Sequence, residues 1–270
     1  MKRHSSVAAR RRQGGLGLAE VLVAMAIGIV MLGAVGYLLV GSKKMNSTQD
    51  DVARMQESGR NAMDILGKAI RQAGFQLDVD QAFVATALVG TDYGGTGAAA
   101  QADTLSVQHD PAWIADATNP AKGQEVDCEG TQIASDNAVN GTTGTRPVNT
   151  QLVRYAFSVN GGRLLCKADD SNPAVGGSVV ADNIENMQIQ YGIGNGSETI
   201  TKYTATPDAV DWQHVTAVRV SLLVRGPSPN QTPNNTQKYT YNGVEETSTD
   251  GHLRQVYTST FTVRNQARWK

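Results

Sequence analysis

Apolar and polar positions follow three successive patterns along the 270-residue chain. From Leu16 to Val40 the side chains are almost uniformly apolar, with Glu20 the single charged residue between Gly14 and Gly41. Wound as a helix, this run is about 37 Å long, enough to cross a bilayer with some tilt. From Ser42 to about Ala73 the pattern becomes amphipathic. Val52, Met55, Gly59, Ala62, Leu66, Ala69 and Ala73 recur at alternating steps of three and four, and Met63 and Ile70 widen the stripe. Asp50, Asp51, Arg54, Glu57, Arg60, Asp64, Lys68 and Arg71 fall mostly on other faces. Such a helix needs a partner for its apolar side, and Gly74 stands where a C-cap glycine would end it. Joined, the two segments predict a helix of about 58 residues, on the order of 87 Å.

Beyond Phe75 the period shifts to two. Residues 102–108 alternate as a half-buried strand, in a stretch to Gly123 that otherwise reads as loop. Leu152–Val159, the turn Asn160-Gly161-Gly162 and the return Arg163–Lys167 predict a hairpin. Residues 180–192 run into a strand. Val215–Arg225 is the strongest, with Val218, Val220, Leu222 and Val224 on one face. Tyr257, Ser259, Phe261 and Val263 mark a last strand. Between them Gly226–Asp250, with Pro227, Pro229 and Pro233, reads as a polar surface loop, and the segment from Cys128 to Pro147 as irregular. The expected fold class is α+β: a long N-terminal helix packed on a C-terminal antiparallel β-sheet head.

A formal net charge of -1 gives no global pull toward nucleic acid or anionic lipid. The charge is uneven, however. Lys2, Arg3, Arg10, Arg11 and Arg12 crowd the first 12 residues without an acid. Basic flanks stay cytoplasmic, which puts the head on the far side of the membrane in a single pass. Cys128 and Cys166 then lie where oxidation is possible, and two cysteines allow one intramolecular pairing. Closing that loop corresponds to roughly 3–4 kcal/mol by chain entropy. Two unrelated thiols are the alternative.

A cleaved secretory signal would have a shorter apolar core and an A-x-A-like site, which Gly41-Ser42-Lys43-Lys44 does not supply. A plain anchor leaves Glu20 unexplained, since an acid within hydrocarbon costs several kcal/mol. The segment Gly15-Leu16-Gly17-Leu18-Ala19-Glu20-Val21-Leu22 resembles the class III signal of type IV prepilins, with a Gly before the cut and a Glu at the fifth mature position. The resemblance implies cleavage between Gly15 and Leu16 by a prepilin peptidase and N-methylation of Leu16. It departs from the usual pattern in beginning with Leu rather than Phe. Glu20 is then expected to pair with a neighbouring subunit's new amino group in an apolar filament core, setting assembly register. Snorkelling of Glu20 to the membrane surface is the bland alternative.

Ala53–Ala62, Ile70–Phe75, Asn183–Gly192, Val215–Gly226 and Leu253–Asn265 resemble, in that order, segments of the PilW family of minor pilins, and the cysteines fall at corresponding places. The resemblance implies a type IV pilin-like organisation: leader 1–15, transmembrane helix 16–40, amphipathic stalk 41–74 and periplasmic head 75–270. It implies a subunit that helps prime pilus assembly, sits at or near the filament tip, and starts in the inner membrane before passing to the pilus. Its partners would be other minor pilins, the major pilin, the prepilin peptidase and a tip adhesin. A Cys128–Cys166 disulfide would tie the Cys128 loop to the hairpin. A type II secretion pseudopilin and a membrane-anchored periplasmic binding module are the rival readings.

No enzyme is expected. His4, His109, His214 and His252 are scattered, and no nucleophile motif is present. Tyr93–Gly97 is Gly-rich but lacks the Lys-Ser/Thr of a phosphate loop. Gly192–Glu198 holds one acid, a poor calcium cage. Arg154, Arg219 and Arg225 read as solvating a sheet face rather than binding phosphates. Neither metal, cofactor, small-molecule substrate nor nucleic acid is expected.

Overall fold

A computed structural model describes residues 17–75, 87–95, 97–98, 100–109, 122–130, 132–134, 153–168, 176–195 and 199–265. The chain divides into two compact units, up to Ser47 and from Thr48 onward. Helix α1 (Leu18–Gln72) supplies the described part of the first unit and continues into the second.

In the first unit every described residue up to Asn46 is solvent-facing, including Leu18, Leu22, Val30, Leu32 and Leu39. Adding a Cβ at Gly28, Gly33 or Gly36 would meet nothing within 4 Å. An apolar surface of this size needs another apolar phase, lipid or protein.

In the second unit α1 buries the face carrying Asp51, Met55, Gly59, Ala62, Leu66, Ala69 and Ile70. This is the three-and-four stripe of the sequence, and it packs on antiparallel sheets. One sheet has the order β1 (Leu88–Thr91), β2 (Thr104–His109), β5 (Val153–Asn160), β6 (Arg163–Ala168), β7 (Ser178–Asp182). β3 (Lys122–Val126) and β4 (Gln132–Ala134) form a hairpin of their own. The second sheet has the order β13 (Arg254–Thr262), β10 (Val215–Arg225), β8 (Ile184–Gly194), β9 (Ile200–Thr204). Its inner face carries Met187, Ile189, Tyr191, Val218, Val220 and Leu222, all buried.

Two glycines set the spacing between α1 and β13. A Cβ at Gly59 would lie 2.6 Å from the Tyr257 ring, and one at Gly67 would lie 2.5 Å from the Phe261 ring. Helix propensity alone favours Gly67→Ala by about 1 kcal/mol. Overpacking against Phe261 costs about 1–3 kcal/mol. The expected result is a net loss of about 1 kcal/mol, read from urea unfolding of the detergent-solubilised chain; a gain in stability would refute the close ring contact.

Four segments differ from the sequence reading. The expected loop Gly226–Asp250 contains a hairpin, β11 (Gln237–Tyr241) and β12 (Val244–Ser248). Its turn is Asn242-Gly243, both at positive φ (49° and 84°), the pair that a tight two-residue hairpin turn requires. Tyr241 is fully buried, its hydroxyl within hydrogen-bond reach of Asn186 Oδ1 and the Ser221 carbonyl, both at 3.2 Å. The run 180–192 is broken in two at Asn183, whose φ of 63° turns β7 of one sheet into β8 of the other. β1 lies within the stretch expected to be loop before residue 102, and β4 within the segment from Cys128 to Pro147 expected to be irregular.

Candidate assembly elements

The sequence-predicted site residues fall in two places. Gly15 and Leu16 lie outside the described residues. Glu20 sits in the first turn of α1, exposed, with its backbone N–H donating to the Gly17 carbonyl at 2.9 Å. A carboxylate there complements the positive end of the helix dipole. In the head, Cys128 and Cys166 are joined by a disulfide that attaches the segment between β3 and β4 to β6. Glu129, beside Cys128, accepts the Ala168 N–H at 3.2 Å.

The polar groups that hold the head together are different ones. Asp51 is 2% exposed although its position in the charge pattern reads as solvated. Its two oxygens accept the Ser228 N–H at 3.0 Å and the Ser228 hydroxyl at 2.9 Å. One turn earlier, Thr48 donates to Gln231 at 2.6 Å. The loop after β10 is thus fastened to α1. Arg254, whose side chain is 6% exposed, donates to both oxygens of Glu185 (2.7 and 2.8 Å) and both of Asp250 (2.7 and 2.8 Å). Hydrogen bonding from Arg254 holds the Asp250 carboxyl below the usual carboxylate range.

Asp103, just before β2, is the second buried acid among the described residues, 2% exposed. It accepts the Ile189 N–H at 2.8 Å and, weakly, the Tyr93 N–H at 3.4 Å. Desolvation outweighs these bonds and pushes its pKa up to about 6, with the nearby Asp92 charge adding to the shift. The sign follows from linkage. Below about pH 4 the group is protonated folded and unfolded, and no penalty arises. Between its ordinary value of 3.8 and about 6 the unfolded chain ionises first. Stability therefore falls as pH rises through that window, by up to about 3 kcal/mol, and is level above it. Asp103→Asn is expected to remove this fall and raise stability at pH 7. Urea midpoints at pH 4.5 and 7 check it; a variant with the parent's pH slope would refute it. The Asp250 effect has the opposite sign and lies below pH 3.8, so the two separate.

Among the described residues the histidines do not converge. His109 is buried edge-on to Tyr155, with ring centroids 5.1 Å apart. His214 and His252 contact the Val210 and Gly226 carbonyls. Among the described residues no three His, Cys, Asp or Glu side chains form a metal-binding group. Arg219 lies over the Tyr203 ring at 4.0 Å and reaches Gln190 at 3.4 Å; Arg154 reaches Gln108 at 3.5 Å.

Residues 10–36 match the family model described as the prokaryotic N-terminal methylation motif. The motif runs into the apolar part of α1, which is long and apolar enough to cross a membrane. Residues 154–265, from β5 to just past β13, match the family model for type IV pilus-assembly protein W. Over that span, somewhat under half of its length, the chain is similar to this family. Among solved structures it is similar to a type IV-like pilin, TTHA1219, from Thermus thermophilus. That likeness is at 16% identity, covers 82% of this chain and 97% of the other, and has a TM-score of 0.43. It is also similar to a chain of the GspK–GspI–GspJ complex of the enterotoxigenic Escherichia coli type 2 secretion system, at 15% identity, covering 77% and 96%, with a TM-score of 0.32. No curated protein matches it.

Proposed function

We propose that this chain is a minor pilin of the PilW kind that helps prime type IV pilus assembly and occupies a place at or near the filament tip. The carrying observation is the N-terminal arrangement: Gly15-Leu16, then Glu20 as the single acid of a solvent-facing apolar helix, within a matched methylation motif. A prepilin peptidase cuts between Gly15 and Leu16 and the new amino group is methylated. The basic leader holds the N-terminus in the cytoplasm and the head in the periplasm until the subunit leaves the inner membrane. Each mature subunit then offers one amino group and one Glu20 carboxylate, and pairing them between subunits sets register. Other minor pilins, the major pilin and a tip adhesin are the partners. The head contributes shape and contacts, without chemistry of its own.

Intact-mass analysis of the membrane-extracted chain, with and without the prepilin peptidase, tests the reading. The expected species begins at Leu16, carries one methyl group and depends on the peptidase. A chain still starting near Met1, or one cut after the apolar run, would overturn it.

A further inference from the structure

Three arginines from distant parts of the chain line one open cavity of about 560 Å³ in the head: Arg54 from α1, Arg163 at the start of β6 and Arg225 at the end of β10. Its wall also carries Asp182 and Glu185, and the Gly161-Gly162 turn, at positive φ, forms part of the rim. The acids do not neutralise the arginines evenly. Both Glu185 oxygens are engaged by the buried Arg254, which also engages both oxygens of Asp250. Arg225 therefore reaches Asp250 only at 4.0 Å, the limit of an ion pair. Asp182 faces Arg163 at 3.3 Å. Among the described residues Arg54 makes no ion pair. One buried arginine thus takes up the carboxylates that would otherwise serve Arg225, and two guanidinium groups face the cavity with spare donors.

We propose that this cavity binds an acidic side chain of a neighbouring pilin's head. The planar guanidinium fork matches a carboxylate in two-point geometry. A phosphate dianion fits worse, because Asp182 and Glu185 stand on the same wall and repel a second negative charge. A larger groove, about 1040 Å³, shares Arg54, Asp182 and Asn183 with the cavity and runs between α1 and β7. It offers a path for the backbone that carries the acid. The choice of a pilin as occupant rests on the assembly role proposed above.

The test uses the detergent-solubilised full chain and a fluorescein-labelled peptide of alternating Glu and Ser, followed by anisotropy. Saturable one-to-one binding is expected, weakened at least tenfold by Arg54→Gln with Arg225→Gln and unchanged by Arg71→Gln. Arg54→Gln alone, an exposed helix position, gives the same direction should the double variant melt early. Equal affinity in the variants would overturn the site. So would tighter binding of phosphatidylglycerol vesicles than of the peptide, lost in the same variants, which would make the ligand a lipid headgroup. Intact mass of the same samples reports the filament reading separately: a Leu16 start without peptide binding overturns the cavity's role alone.

Discussion

Glu20→Ala is expected to leave cleavage and methylation intact and to lower incorporation into filaments at least tenfold. The proposed leader cut lies at Gly15-Leu16, whereas Glu20 lies in the first turn of α1, so the two steps would have separable determinants. In an apolar filament core the amino group of each new subunit needs a counter-charge. Removing Glu20 leaves that ammonium buried and alone, which costs about 3–5 kcal/mol where one member of a desolvated pair is lost. Glu20→Gln keeps a hydrogen-bond acceptor but not the charge and should fall between parent and alanine. The measurement is the ratio of variant in sheared pili to variant in membranes, with intact mass on both fractions. Normal incorporation of a correctly processed Glu20→Ala chain would sink the register role and favour a carboxylate that merely reaches the membrane surface.

Arg254→Ala should cost the head about 3 kcal/mol of unfolding free energy, the low end of what breaking a buried pair costs. The side chain is 6% exposed and answers two carboxylates, Glu185 and Asp250, across four hydrogen-bond contacts. Glu185 and Asp250 are 27% and 40% exposed, so water takes over part of their solvation in the variant. Arg254 also lies 6.0 Å from the Tyr239 ring centre, a contact that ties β13 to β11. Arg254→Lys retains the charge but cannot fork to both acids and should lose part of the same energy. Urea unfolding of the solubilised chain decides it, and a change below about 1 kcal/mol would place the network among surface ion pairs of little weight.

The helix and most of the central strands were legible in the chain's own order. A period of 3.6 and a period of 2 are local properties, and they survive because each element buries one face against whatever core forms. The stripe Met55, Gly59, Ala62, Leu66, Ala69 is buried in the structure, and the alternating runs at 152–167 and 215–225 are strands. The β11–β12 hairpin carried its signal in Asn242-Gly243. Its strands, with Lys238, Thr240, Glu245 and Thr247, show too little apolar alternation to stand out among the neighbouring prolines.

The linear order of residues was sufficient for the apolar half of α1, and the proposed cleavage and register residues Gly15, Leu16 and Glu20 are read from the same contiguous segment. It was also sufficient for which face of each element is apolar. It was not sufficient for the fate of charged residues. Asp51 falls outside the apolar stripe by pattern and Arg254 precedes the apolar alternation of the last strand, yet both are buried, because Ser228 arrives from 177 residues away and Glu185 from 69. Whether a charge stays in water or is desolvated and paired depends on which remote group folding brings beside it. No local period records that. The same holds for the arginine-lined cavity, whose spare charge exists only because Arg254 has drawn Glu185 and Asp250 to itself.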